Sequence, residues 1–125
     1  MAHMDKVRKL RNDENVHYNC TQAILVGFSD VLGVSDEEAY NLGKMFGSGM
    51  MHGSTCGVIS GAFMVLGAAG FDNTKGAEIL KNFREKHQYT DCARLLAKSR
   101  EDGIAKKDHC DGLVYEMTEY LDSLL

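Results

Sequence analysis

Four cysteines, Cys20, Cys56, Cys92 and Cys110, stand in this chain, and no two form a C-x-x-C pair. A thiolate can act as nucleophile, redox group or soft metal ligand. Each cysteine follows a residue suited to start a helix: Asn19 before Cys20, Thr55 before Cys56, Asp91 before Cys92, and Asp108 two before Cys110. Such side chains accept the free N–H groups of a first helical turn, so each cysteine is expected in a first turn. Apolar residues recur three and four positions on: Ala23 and Ile24 after Cys20, Ile59 after Cys56, Leu95 and Leu96 after Cys92, Leu113 and Val114 after Cys110. That spacing turns each sulfur toward the core.

The intervals add a topological expectation. Cys56 follows Cys20 by 36 residues, Cys92 follows Cys56 by another 36, and Cys110 follows Cys92 by 18. A helix going up and a helix coming back fill each long interval, and short connections favour antiparallel neighbours. The cysteine-bearing helix N-termini should then meet at one end of a bundle. Helix N-termini carry unpaired N–H groups and partial positive charge, both of which favour thiolate. Against this stands the plainer reading of buried cysteines as core filler, which is common for one cysteine and weaker for four placed alike. On pattern alone a shared thiolate site and ordinary packing are balanced.

The elements that must position these groups read as helices throughout. Apolar residues recur at three and four, and no sustained two-residue alternation appears. The expected fold is all-α, a compact bundle of five to six helices. Tyr18 to Leu32 forms one, with Asn19 as cap and Gly33 just past its end. A short charged helix around Asp5 to Asn12 can precede it. Ser35 to Phe46 opens with the capping-box pattern Ser35-Asp36-Glu37-Glu38. A glycine-rich loop, Gly47 to Gly53, leads to a helix from Cys56 to Ala69 with Thr55 as cap. Asn73 or Thr74 caps a helix to about His87, Thr90 or Asp91 one through Lys98, and Asp108 the last to Leu124.

The chain's 125 residues make one domain, assigned to residues 5–125, after a Met1-Ala2-His3-Met4 segment that reads as a cloning remnant. The net charge of −4 and the lack of a Lys/Arg block argue against nucleic acid as a partner. No stretch is long and apolar enough for a bilayer, and no leader is evident. The expected location is the cytoplasm, where cysteines serve more often as ligands or redox groups than as structural disulfides. The apolar Phe63–Ala69 run leaves a homodimer open.

The run Thr55-Cys56-Gly57-Val58-Ile59-Ser60-Gly61 resembles the signature of the redox-active protein family named for its pattern C_GCAxxG_C_C. Tyr18-Asn19-Cys20-Thr21-Gln22-Ala23, Cys92-Ala93-Arg94-Leu95-Leu96 and Cys110-Asp111-Gly112-Leu113-Val114 supply the other elements. Thr55 stands where the pattern has glycine, which leaves all four cysteines in place. The resemblance extends from about Tyr18 to Leu121. It implies a helical redox or metal-binding protein with Cys20, Cys56, Cys92 and Cys110 as ligands. Related domains are similar to the iron–sulfur part of split-Soret-type cytochromes. No C-x-x-C-H haem motif is present.

The first expectation is therefore one iron–sulfur cluster, most simply [2Fe–2S], for electron transfer or sensing with a redox partner protein. The rivals are a metal-free thiol–disulfide enzyme and a structural zinc site. Gly57 is a candidate for close approach of a cluster, or equally of a neighbouring helix, since it shares a face with Gly61. A histidine stands near each cysteine: His17, His52, His87 and His109. His52, in the glycine-rich loop, is the favoured one for proton handling; the others read as solvated residues beside helix starts.

Overall fold

The computed structural model describes residues 3–125 and is all-helical, with no strand among them. Eight α-helices are present: α1 (Met4–Arg11), α2 (Cys20–Gly27), α3 (Ser29–Leu32), α4 (Asp36–Gly43), α5 (Gly57–Ala68), α6 (Asn73–His87), α7 (Cys92–Glu101) and α8 (Lys106–Leu124). The count exceeds the expected five to six. One reason is a break in the expected Tyr18–Leu32 helix at Phe28, whose backbone (φ −110°, ψ 26°) leaves the helical region. The expected Ser35–Phe46 helix likewise ends at Gly43 and tightens into a 3₁₀ turn, Lys44–Phe46.

α2 is the centre of the molecule. Every residue from Thr21 to Gly27 is buried, as expected for a helix that is apolar all round. Its start is fixed by a reciprocal cap: Asn19 accepts from the Gln22 N–H at 2.7 Å, and Gln22 accepts from the Asn19 N–H at 2.9 Å. α5 lies against it through its glycines. A Cβ on Gly57 would stand 2.6 Å from Thr21 Oγ1 and 3.1 Å from Cys20 Cβ; one on Gly61 would stand 3.0 Å from Ile24 Cβ. The Thr21 hydroxyl donates to the Gly57 carbonyl at 3.0 Å, so the approach also satisfies a buried polar group.

The other helices close around this pair. α1 contributes fully buried Val7. α8 presents Leu113, Val114, Met117 and Leu121 to the core, the three-and-four spacing of one helical stripe. α6 offers a thinner stripe, Ile79 and Phe83. Met1 and Ala2, half of the segment read as a remnant, lie outside the described residues. His3 stacks on Phe28 with ring centroids 4.1 Å apart and pairs with Asp122 at 2.5 Å, and Met4 opens α1.

Candidate functional site

The segment between α4 and α5 is the most unusual backbone in the molecule. Ser48, Gly49, Met50 and Met51 have φ of 53°, 64°, 57° and 72°, four consecutive left-handed residues of which only one is glycine. The Ser54 N–H closes the turn on the Gly49 carbonyl at 2.8 Å. Gly49 has no room for a side chain, since a Cβ there would meet the Cys92 Cβ at 2.7 Å. A left-handed non-glycine residue costs about 1–2 kcal/mol, so the surrounding contacts must hold this turn in place.

From this turn the chain runs into a single antiparallel bridge, Thr55 opposite Asp91. The Cys56 N–H donates to the Thr90 carbonyl at 2.9 Å, and the Cys92 N–H to the Ser54 carbonyl at 2.7 Å. Cys56 and Cys92 each stand one residue beyond the bridged pair, where α5 and α7 begin. This one rung ties the starts of α5 and α7 together.

Cys20 and Cys110 face each other closely enough for their ionisation to be linked. All four cysteines line one cavity of about 350 Å³, at whose wall Gly57 also stands. Cys56 is buried and the other three half-buried, and none is in a disulfide.

Their positions on the helices differ from expectation. Cys20 and Cys92 are the first residues of α2 and α7, after the caps Asn19 and Asp91. Cys56 itself occupies the cap position of α5, because Thr55 is held in the bridge. Cys110 is not in a first turn. α8 begins at Lys106 after Ala105, not at Asp108, because left-handed Gly103 ends α7 and lets Ile104 turn back to the Ser99 carbonyl at 2.9 Å. Cys110 is thus the fifth residue of its helix. Likewise Asp72, not Asn73 or Thr74, caps α6.

The electrostatics also depart from four equally activated thiolates. Burial pushes Cys56 up to about 12, although the N–H groups of Val58 and Ile59 favour its thiolate. Cys20 is raised well above the ordinary thiol value by its hydrogen bond to Cys110 and by burial. Burial and the neighbouring Cys110 raise Cys92. Cys110 alone is lowered, to about 7, by the Cys20 hydrogen bond, with Arg11 and Lys106 assisting against burial. Desolvation and mutual repulsion outweigh the helix ends in a pocket this crowded.

Cationic groups gather at the cavity. Arg11, Lys106 and Lys107 line it, as do His17 and His109. Burial, then His87, lowers His109. His52, the favoured histidine from sequence, is exposed and does not line the cavity; His87 instead pairs with Glu116 at 2.6 Å. Arg11 had no signal in the sequence, because its partner Asp111 lies 100 residues away. The bridge had none either, since one rung leaves no strand pattern. Among the described residues, no group of three or more His, Cys, Asp or Glu side chains is placed so that it could hold a metal ion.

No curated protein and no solved structure matches the chain. Residues 18–124 match the family described as "Putative redox-active protein (C_GCAxxG_C_C)", a segment that holds all four cysteines and the bridge. With its four motif cysteines gathered at one cavity of an all-helical fold, the chain belongs to the C_GCAxxG_C_C family of redox-active proteins.

Proposed function

We propose that this protein carries or senses electrons through one iron–sulfur cluster, most simply [2Fe–2S], held by Cys20, Cys56, Cys92 and Cys110. The observation behind this reading is the grouping of four thiols around one cavity, each of them electrostatically coupled to at least one other. Four thiolates are the donor set of a two-iron cluster, two to each iron. Four thiols spread around a cavity of about 350 Å³ leave room for a cluster, whereas a single zinc ion needs one tight tetrahedron. Bound there, the cluster would supply one-electron oxidation and reduction.

The chain's own groups have defined tasks in this reading. The bridge holds Cys56 and Cys92 on one side, and the N–H groups of Val58 and Ile59 stabilise the Cys56 thiolate. The Thr21–Gly57 hydrogen bond fixes the start of α5 against Cys20. Leu95 and Leu113 form apolar wall at the cavity and limit water. Half-buried Cys92 and Cys110 leave a side by which a redox partner protein could exchange electrons.

A second reading draws on the Cys20–Cys110 hydrogen bond and the lowered Cys110. These two sulfurs could join as a disulfide, releasing two electrons and two protons to an oxidised thiol-exchange partner. Single Cys→Ser variants separate the readings. A cluster requires all four cysteines, so each variant should lose most of its iron after anaerobic reconstitution. Thiol exchange requires only Cys20 and Cys110, so full activity in an insulin-reduction assay by Cys56→Ser and Cys92→Ser, with no iron in the parent, would favour the second reading.

A further inference from the structure

The geometry points to Arg11 as the residue that sets the reduction potential of the cysteine site. This rests on the iron–sulfur reading above. Arg11 lies upstream of the matched segment, residues 18–124, so the family pattern assigns it no role.

Arg11 ends α1, and its side chain is 8% exposed. Its Nε donates to Asp111 Oδ1 at 2.7 Å, and its Nη1 to the Tyr18 carbonyl at 2.8 Å. Asp111 follows Cys110, and Tyr18 stands two residues before Cys20. The guanidinium is thereby fixed to the flanks of one cysteine pair, at the wall of the cavity. Its charge favours both thiolates, Cys20 and Cys110.

A buried, rigid cation acts on the site with little solvent screening, whereas an exposed one is screened. Lys106 provides the contrast: it lines the same cavity and also favours Cys110, but it is exposed. Asp111 does not cancel Arg11 alone, because it is shared with Lys107 at 2.7 Å.

The step concerned is a one-electron transfer. With a cluster bound, each dithionite oxidised to two sulfites would supply two electrons, one to each of two protein molecules, where one ferric ion would become ferrous and no bond to the protein would form or break. The pocket then carries one more negative charge, which Arg11 stabilises. Arg11 therefore raises the potential, and its loss lowers it.

The test is a redox titration of the reconstituted full chain with dithionite, followed at the visible bands, for the parent, Arg11→Gln, Arg11→Lys and Lys106→Gln. Arg11→Gln is expected to be at least about tenfold harder to reduce, a fall of about 59 mV for one electron. Arg11→Lys should recover most of that, and Lys106→Gln should shift by less than half as much. A loaded Arg11→Gln protein with the parent's potential and spectrum would overturn the assignment while leaving the cluster standing. A parent that takes up no iron would overturn both, and the missing visible bands would identify that case. If Arg11→Gln fails to fold or load, Arg11→Met takes its place: a potential lowered by about 59 mV supports the role of charge, and the parent's potential contradicts it.

Discussion

Cys110 differs from the other three thiols in a way that reagents can read. It ionises at about 7, while burial holds Cys56 protonated up to about 12. Only the thiolate reacts with an alkylating agent, and its fraction rises as pH passes the group's pKa. In the reduced, metal-free protein, iodoacetamide at pH 8 should therefore label Cys110 first and leave Cys56 unlabelled, as peptide mass spectrometry would read. The Cys110 rate should climb from pH 6 and level off above pH 8; equal labelling of the four would contradict the assigned environments. Gly57 makes a different residue-scale demand. Since a Cβ there meets Thr21 Oγ1 at 2.6 Å and Cys20 Cβ at 3.1 Å, Gly57→Ala should reduce stability by about 1–3 kcal/mol in urea unfolding. An unchanged midpoint would mean that α2 and α5 can part without cost.

At the scale of elements, the left-handed turn and the bridge do what helices alone would not. The turn Ser48–Met51 carries the chain to the Thr55–Asp91 rung, and that rung brings α5 and α7 to the cavity. Met51 is 71% exposed at φ 72°, so its side chain gains little from packing while its backbone is strained. Met51→Gly removes that strain but adds freedom to the unfolded chain, about 0.4–1 kcal/mol. The net should be a gain of about 0.5–1 kcal/mol in thermal or urea unfolding; a loss would show that the turn is not strained. The helices were legible because capping residues and three-four spacing are local: Asn19, Ser35 and Asp91 cap where expected. The break at Phe28 and the early start of α8 were not. The first has no local marker, and the second depends on Gly103 ending α7, which periodicity does not record. That the four cysteines would line one cavity was legible from spacing and motif. The Thr55–Asp91 rung and the arginine at the cavity wall were not, because both act across long separations.

For the whole molecule, the cavity is built from both ends of the chain. α1 reaches it through Arg11, α8 through Cys110 and Lys106, and the Arg11–Asp111 pair joins them. Neither side chain of that pair is more than 14% exposed, so removing Asp111 leaves the buried Arg11 charge without its carboxylate, whereas Asp111 keeps Lys107 when Arg11 is lost. Among the described residues no helix is long and apolar enough to cross a membrane. The fold thus gathers its thiols in a pocket flanked by cations, open on one side. Whether these thiols hold one cluster is read from the visible spectrum of anaerobically purified protein with iron, zinc and sulfide counted per chain. A brown protein with about two irons and about two sulfides is expected. A colourless protein that contains zinc, or that stays metal-free after reconstitution with iron and sulfide, would contradict the cluster reading.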